Sequence, residues 1–313
     1  MISIAVLDDY LGIAAKAFGT LDPEKFAVSY FPETLPGYGL ESTSDQCRSQ
    51  LVDRLFRADV ICTTHPSSGG GYGTDSTTQH TVALVLALAR AIPASISSIA
   101  SGGWQTHRTV AVGLGGKTLG IIGLGRLGTS VARALSLGFG MKVIAWSPNL
   151  TQEVADGRAA EAGLPAEDPA TGLKTFQAVS REELFREADV VCLHIVLSDK
   201  SRGSITAADF SLMKPSAFFV NTSRGPLVRE ADLLAALKQG RIAGAALDVF
   251  EPEPLPIDSE WRTTAWGEEG RSEVILTPHV GYVEREVLKS WYEQQVENVI
   301  AWARGDDLKM RLV

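Results

Sequence analysis

Three polar segments in the second half of the chain carry the types of side chain that carbonyl reduction needs. Arg224 lies in the sequence NTSRG, a run of carboxylates occupies LDVFEPEP, and His279 lies in TPHVG. An arginine can hold a carboxylate through two parallel hydrogen bonds. A histidine beside a carboxylate keeps its proton to higher pH, so it can act as a general acid near neutral pH. Together these segments could supply the groups that hydride transfer to a carbonyl requires; the alternative for each residue alone is a solvated or structural side chain.

A glycine-rich turn supplies a second chemical signal, a site for a dinucleotide cofactor. Apolar sequence before the turn predicts a buried strand, and Val131, Ala132 and Leu135 after it predict a helix. The GxGxxG spacing allows a tight turn, close approach of the backbone to a pyrophosphate, and close packing of helix on strand. The start of the helix adds N–H groups that attract phosphates. The residues of this predicted site are Gly123, Leu124, Gly125, Arg126, Leu127 and Gly128.

The elements that must position these residues alternate between strand and helix patterns, which predicts a doubly wound parallel α/β sheet. The three polar segments directly follow predicted strands, where such sheets bind ligands. The predicted strands are Ile2–Leu7, Phe26–Phe31, Asp59–Thr63, Met141–Trp146, Val190–His194, Ala217–Asn221, Ala243–Val249 and Val274–Leu276. The predicted helices are Ser44–Phe56, Thr77–Ile92 and one from about Glu284 to Arg304. The remaining predictions are a loop at Pro66–Gly73, a connector containing Trp104 and a surface insertion at Ala159–Lys174.

Composition excludes several classes of protein. A net charge of −8 argues against nucleic acid as a partner. No apolar segment is long enough to cross a membrane, and the N-terminus lacks the features of a signal peptide. Cys47, Cys62 and Cys192 are odd in number and lack metal-ligand spacing, which favours reduced thiols and no metal site. Composition therefore predicts a cytoplasmic protein with neither nucleic acid nor a membrane as a partner.

The ordered motifs GLGRLG, NTSRGPLV, AALDVFEPEP and TPHVGY resemble the D-isomer-specific 2-hydroxyacid dehydrogenase family from about Thr77 to the C-terminus. The resemblance implies that Arg224 binds the substrate carboxylate, that His279 is the acid/base residue and that Glu253 pairs with His279. The implied reaction transfers a hydride between a nicotinamide and a 2-oxo acid while His279 gives a proton to the oxygen.

The resemblance also implies cofactor contacts at other strand ends. Asp248 would lie near the nicotinamide carboxamide, and His194 would lie beside the cofactor. The alternative for His194 is a structural histidine at the end of a strand, with its hydrogen bonds made inside the protein. Ser147 stands where NAD-specific members usually carry an acidic residue for the adenosine ribose. Because no Arg or Lys accompanies it in the sequence, we expect NAD, with NADP possible. The implied contacts outside the glycine turn are Ser147, His194, Thr222, Ser223, Asp248 and Gly281.

For the domains, the resemblance implies a Rossmann cofactor domain at 81–285 and a smaller, flavodoxin-like substrate domain at 1–80 plus 286–313. The long C-terminal helix would return the chain to the substrate domain and leave a cleft that can close. It also implies a homodimer formed through the helix and arm at Thr77–Trp104.

The substrate domain departs from the family pattern. Between the strand near Ile61 and the helix near Thr77, family members have further βα units, each of about 30 residues. Only Thr64–Thr74 spans this interval here, so we expect an incomplete domain with an exposed sheet edge and apolar surface. The glycines at 69–71 either form an anion-binding nest or bridge a deletion.

Three functions fit these observations. The favoured one is an enzyme that reduces a 2-oxo acid such as glyoxylate, hydroxypyruvate or pyruvate. The alternatives are a dinucleotide-binding scaffold or corepressor-like protein, and a truncated paralogue with impaired catalysis. A phosphoglycerate dehydrogenase with a regulatory extension is disfavoured by the short sequence after Arg304. Formate dehydrogenase is disfavoured because glutamate, not glutamine, would pair with the histidine.

Overall fold

The computed structural model describes residues 1–9, 11–33, 35, 43–63, 74–105, 110–169 and 171–308. The chain forms two compact units. The first comprises Met1–Gly73 and Tyr282–Val313, and the second comprises Thr74–Gly281. The boundaries expected from the sequence, 80/81 and 285/286, lie a few residues further along the chain. The predicted Pro66–Gly73 loop, including the glycines at 69–71, lies outside the described residues.

The helices and strands follow one another in a regular α/β order. The first unit begins with β1 (Ile2–Leu7), α1 (Ala14–Phe18), β2 (Phe26–Phe31), α2 (Asp45–Leu55) and β3 (Val60–Cys62). The second unit contains α3 (Thr74–Ala89), α4 (Ile92–Ala100), β4 (Thr118–Ile122), α5 (Arg126–Phe139), β5 (Lys142–Trp146), α6 (Gln152–Glu161), β6 (Phe176–Ala178), α7 (Arg181–Glu187), β7 (Val190–Leu193), α8 (Ala207–Leu212), β8 (Phe218–Asn221), a 3-10 turn (Gly225–Leu227), α9 (Glu230–Lys238), β9 (Gly244–Leu247), α10 (Glu260–Thr263) and β10 (Glu273–Leu276). The last helix, α11 (Arg285–Arg304), belongs to the first unit.

The first unit is built on a parallel sheet in the order β2-β1-β3. Its core joins side chains of β1 and α1, such as Val6 and Phe18, to the face of α11 that carries Leu288 and Tyr292. The helix α11 ends at Gly305, whose φ of 77° gives the left-handed cap predicted from the glycine. In the described residues β3 is an edge strand. The expectation that this unit is shorter than in relatives stays a prediction.

The second unit is a doubly wound parallel sheet, as predicted, and its strands lie in the order β10-β9-β8-β7-β4-β5-β6. The strand β7 shows how the apolar sequence specifies this layer. Val190 and Cys192 enter the core on one face, and Val191 and Leu193 enter the core on the other. Strands that are buried on both faces read as continuous apolar runs. The strand order reverses direction between β4 and β7, which is where such sheets bind ligands.

The helix α3 differs from its prediction at both ends. It begins at Thr74, so Ser76 and Thr77 lie inside it rather than capping it. It ends at Ala89, because Ala91 has a left-handed φ of 50° that no α-helix can continue through. The helix α4 follows in a segment that was expected to be a connector. Leu84, Val85 and Leu88 of α3 are buried in the core of the second unit, so the whole helix belongs there.

The surface insertion predicted at Ala159–Lys174 is partly wrong. Ala159 is fully buried and belongs to the core, because α6 continues to Glu161 and packs beside β6. The later part of the segment is held by an antiparallel bridge between Glu167 and Lys174.

Of the helices that the structure describes, no single one combines the length and apolar character needed to span a membrane. One pair, Ser76–Ala89 with Ile92–Ala100, meets that test jointly but is bent by 63°.

Candidate active site

The candidate residues lie after the carboxyl ends of parallel strands in the second unit. The glycine turn follows β4, Ser147 follows β5, and His194 follows β7. Thr222 to Arg224 follow β8, Asp248 to Glu253 follow β9, and Thr277 to Gly281 follow β10. Because neighbouring strands are parallel, these ends form one edge of the sheet. Arg224 and His279 follow strands as expected from the sequence, whereas His194 and Asp248, which were predicted inside strands, lie just after β7 and β9.

Two glycines of the turn are required by close packing. Gly123 has a φ of 99°, and a Cβ atom there would lie 2.7 Å from the carbonyl oxygen of His194. A Cβ atom on Gly128 would overlap the carbonyl oxygen of Gly123. The turn is also tied to β5, since the Gly123 N–H donates to the carbonyl oxygen of Trp146 at 2.8 Å. These contacts bring α5 against the end of β4.

Gly125 is different, because its surroundings are open. In the described part of the chain no heavy atom lies within 4 Å of the position of a Gly125 Cβ atom. Gly125 is the N-cap of α5, and no side chain among the described residues caps the helix, so the first N–H groups can bind an anion. Arg126 is exposed and Leu127 half-buried, whereas Leu124 is buried in the core. The turn fits a dinucleotide pyrophosphate, with Leu124 contributing through its backbone only.

His194 carries a buried polar atom that the fold itself does not satisfy. Its Nε2 atom is inaccessible and has no hydrogen-bond partner among the described residues. Burial lowers the pKa of His194 to about 4, so the ring is neutral at neutral pH. The alternative expectation was a histidine whose ring nitrogens are hydrogen-bonded within the fold. The unpartnered Nε2 atom does not agree with it. A buried orphan beside the glycine turn instead fits a site that a polar ligand completes.

A cation that sequence reasoning missed lies over Trp146, the residue before Ser147. The Arg181 guanidinium lies 5.1 Å from the centroid of the Trp146 ring, next to Ser147 in the chain. Arg181 is, however, already paired: its Nε and Nη2 atoms each lie 2.9 Å from a carboxylate oxygen of Asp209. The position of this arginine depends on packing between β5 and α7, so no local pattern shows it.

The segment that carries Arg224 is held by a buried asparagine. The side chain of Asn221 is almost fully buried; its Nδ2 donates to the carbonyl oxygen of Arg224 at 3.0 Å, and its Oδ1 accepts from the Ser223 N–H at 3.0 Å. The Ser223 hydroxyl donates to the carbonyl oxygen of Ile195 at 2.8 Å. The Thr222 hydroxyl lies 2.8 Å from that of Thr81. Thr222 and Ser223 thus use their hydroxyls to shape the loop.

Arg224 itself is half-buried, and its Nη1 donates to the carbonyl oxygen of Ser223 at 2.6 Å. The following residue, Gly225, packs so closely on Phe250 that a Cβ atom would overlap the Phe250 backbone. This contact fixes the arginine loop against the segment that follows β9.

The structure brings His279 and Glu253 together. His279 Nδ1 lies 2.6 Å from Glu253 Oε2, and the other oxygen of Glu253 accepts from the Phe250 N–H at 2.8 Å. The carboxylate is therefore fixed by the backbone and faces the imidazole. Glu251, by contrast, forms an exposed ion pair with Arg202 at 2.7 Å. Of the carboxylates in the acidic segment, Glu253 is the one paired with His279.

Asp248 forms a separate buried cluster. Its side chain is only 1% exposed; Oδ1 accepts from the Thr277 hydroxyl at 2.5 Å and from the Val280 N–H at 2.9 Å, and Oδ2 accepts from the Gly281 N–H at 2.9 Å. Burial by itself would raise the pKa of Asp248. The hydrogen bonds from His80, Thr277 and these two amides outweigh burial and lower it, so the carboxylate stays ionised.

Sequence reasoning missed several residues of this site. Thr277 and Asn221 lie inside the motifs TPHVG and NTSRG, so the motifs themselves are a signal that could have included them. His80 and Thr81 lie in a helix with no local signal of function. Only their long-range contacts assign them to the site.

A parallel doubly wound sheet with a glycine turn where its strand order reverses is the architecture of a domain that binds a dinucleotide, and the histidine–carboxylate pair lies on the same edge. The NAD binding domain model of the D-isomer specific 2-hydroxyacid dehydrogenase family matches residues 82–281. The chain belongs to this family.

Individual relatives agree with this assignment. Glyoxylate reductase of Thermococcus litoralis is 35% identical over 262 residues, covering 82% of this chain and 70% of that protein. D-3-phosphoglycerate dehydrogenase of Bacillus subtilis is 34% identical over 254 residues, which cover 81% of this chain and 43% of that protein. A phosphoglycerate oxidoreductase structure from Vibrio cholerae O395 is similar with a TM-score of 0.75 and 27% identity, covering 97% of this chain and 100% of that chain.

Proposed function

We propose that this protein reduces a small 2-oxo acid, of the glyoxylate or hydroxypyruvate kind, to the D-2-hydroxy acid. The observation that carries the proposal is the His279–Glu253 pair at 2.6 Å on the sheet edge that also bears the glycine turn. A general acid for a carbonyl oxygen is required there, and a histidine held by a fixed carboxylate suits that role. The similarity to glyoxylate reductases supports the choice of substrate class.

The residues have distinct roles in this proposal. Arg224 binds the substrate carboxylate, for which its planar guanidinium is suited. Because His279 Nδ1 faces Glu253, the proton is delivered to the carbonyl oxygen from Nε2. Glu253 stabilises the imidazolium before transfer and fixes the orientation of the ring. A bound reduced nicotinamide would supply the hydride.

The turn from Gly123 to Gly128 would hold the pyrophosphate, and Asp248 and His194 would face other polar groups of the dinucleotide. We propose NAD as the preferred cofactor. Ser147 offers no charge to either cofactor, and Arg181, the cation beside Trp146, is committed to Asp209. Arg181 is therefore not available to pair with the 2′-phosphate of NADP.

The test is loss of reduced-nicotinamide absorbance, with NADH and NADPH supplied separately, against glyoxylate, hydroxypyruvate, pyruvate and phenylpyruvate. We expect turnover that is faster with NADH. The variant His279→Ala should lower kcat by about 10²–10⁴ if His279 is the general acid. Glu253→Gln should also lower kcat, whereas Glu251→Gln, which alters only an exposed ion pair, should not.

The opposite outcome is equally informative. Folded protein that binds NADH but turns over none of the four acids would favour the scaffold or impaired-paralogue alternatives. Equal activities of His279→Ala and wild type would remove His279 from the mechanism.

We further propose a homodimer formed through α4. Ile92, Ile96 and Ile99 recur at helical spacing on one face and are 45%, 64% and 57% exposed, and Trp104 just beyond is 74% exposed. An apolar stripe of this kind marks an interaction surface. A second copy of the chain is the occupant that family resemblance implies.

A further inference from the structure

We propose that His80, on α3, is a positioning residue that orients His279 through Thr277 and Asp248. The inference rests on the proposed function, because it concerns how the acid/base residue is held. Its basis is a chain of hydrogen bonds that begins on the helix and ends at the backbone on both sides of His279.

The first step is the direction of the hydrogen bonds at His80. Its Nε2 atom lies 3.0 Å from Thr277 Oγ1 and 3.2 Å from Asp248 Oδ1. The Thr277 hydroxyl has one proton, which it donates to Asp248 Oδ1 at 2.5 Å. The carboxylate can only accept, and the hydroxyl is already a donor, so Nε2 of His80 must carry a hydrogen. His80 is therefore a donor to both partners.

The second step links Asp248 to the turn that carries His279. The carboxylate accepts from the N–H groups of Val280 and Gly281, each at 2.9 Å. The backbone carbonyl of Asp248 accepts from the His279 N–H at 2.7 Å. One residue thus binds three successive amides, and His279 is the first of the three.

The third step is that this turn needs to be held. His279 has a φ of 53°, in the left-handed region that non-glycine residues rarely adopt. Such a conformation persists only where surrounding contacts over-determine it. Gly281 adds to the constraint: a Cβ atom there would lie 3.0 Å from Asp248 Oδ2 and 3.5 Å from His80 Cδ2. His80, Asp248 and the turn therefore form one closely packed cluster.

The contribution of His80 is distinct from that of the amides because it comes from another element. Thr277, Val280 and Gly281 belong to the segment that follows β10, whereas His80 ties the carboxylate to α3. Without this donor, the two amides still hold the carboxylate within its own segment. The Thr277 hydroxyl and the carboxylate lose their hydrogen bonds to α3, so the turn can shift relative to that helix. The His279 ring would then shift relative to Glu253, and a misplacement of about 1 Å can cost about 10²-fold in rate.

Two substitutions separate the donor from the bulk of the ring. In His80→Gln the amide nitrogen occupies the position of Nε2, while in His80→Asn it occupies that of Nδ1. We expect His80→Asn to lower kcat about 10- to 100-fold with less than about 3-fold change in KM for the oxo acid. His80→Gln should recover most of the activity that His80→Asn loses, at a similar Tm. Equal activity in wild type and both variants, or equal losses in both, would overturn the proposal.

A second measurement makes the inference independent of turnover. The chain has five histidines, and their ring signals can be recorded by ¹H–¹⁵N NMR, with the His279 signal assigned by its loss in His279→Ala. His80→Asn should move the His279 ring signal, and His80→Gln should restore it. If the wild type reduces no acid, the proposed function fails and this measurement still decides the role of His80. An unmoved His279 signal in His80→Asn would refute the positioning role.

Discussion

Among single residues, Asp248 and His194 are both buried but differ in charge: Asp248 is ionised, whereas His194 is neutral. Both have polar atoms removed from water, which disfavours charge. Asp248 receives enough hydrogen bonds to overcome this, so its pKa falls and the carboxylate remains charged. His194 has no partner at Nε2 among the described residues, so burial keeps the ring neutral. The two residues show that the hydrogen-bond donors near a buried group, rather than burial alone, decide its charge.

The lowered pKa of His194 predicts a pH-dependent stability. An unfolded His194 binds a proton near its ordinary pKa of 6.5, and the folded residue only near about 4. The unfolded state therefore holds more protons in this window, and the free energy of unfolding falls as pH drops from 6.5 towards 4. The full effect is on the order of 3 kcal/mol, because one pKa unit corresponds to about 1.4 kcal/mol.

Urea unfolding of wild type and His194→Gln between pH 4.5 and 7 measures this contribution. We expect the difference in unfolding free energy to change with pH across the window. Asp248 does not affect this comparison. The stability that its lowered pKa contributes to the folded protein is lost only below its usual pKa of 3.8, outside the measured range. Parallel curves for the two proteins would contradict the assignment.

At the scale of elements, the glycine turn joins two requirements that have different physical origins. Gly128 is needed for the fold, because α5 contacts the end of β4 at the carbonyl oxygen of Gly123. Gly125 has open space around it, so no contact within the described residues requires it. Its absent side chain leaves room for a ligand at the start of the helix.

Alanine at the two positions separates these requirements. Gly128→Ala should destabilise the protein by about 1–3 kcal/mol through overpacking, and Tm should fall by about 2–4 °C for each kcal/mol. Gly125→Ala should change Tm less and weaken NADH binding more. Thermal unfolding and a fluorescence titration with NADH provide the two measurements. A larger loss of Tm in Gly125→Ala than in Gly128→Ala would contradict these separate roles of the two glycines.

At the scale of the whole molecule, the catalytic candidates and the apolar face of α4 belong to the second unit. The helix α3, which carries His80, packs in the core of that unit and leads directly into α4. The proposed dimer surface and the candidate site are thus parts of the same unit.

Substitutions on α4 test the dimer. Ile96→Glu together with Ile99→Glu should shift the protein from dimer to monomer, because a charged group would be buried without a partner at the interface. Ser97→Glu adds charge at an exposed position off the apolar stripe and serves as the control. Sedimentation velocity over a range of concentrations distinguishes the states. A monomeric wild type, or a dimer unchanged by the double substitution, would overturn this proposal.

Features that depend on local patterns can be predicted from the amino-acid sequence. Continuous apolar runs predicted the buried strands, and the spacing of Gly123, Gly125 and Gly128 predicted the turn between β4 and α5. Arg224, Glu253 and His279 are predicted as site residues because each lies in a short motif after a strand, and family resemblance implies their roles. The left-handed Ala91 and the buried Ala159 carried no such pattern, so α4 and the end of α6 were not predicted.

Contacts between residues far apart in the chain become visible once the fold is known. His80 and Thr277 are 197 positions apart, and Arg181 reaches Trp146 from another βα unit. The selection of Glu253 over Glu251 as the partner of His279, a choice that family resemblance had implied, also became visible as a contact only in the fold. The physical reason is that hydrogen bonds and ion pairs act over about 3 Å in space. Local sequence patterns determine the periodicity of each element, but side chains from different elements reach that distance only after the sheet and its helices have packed.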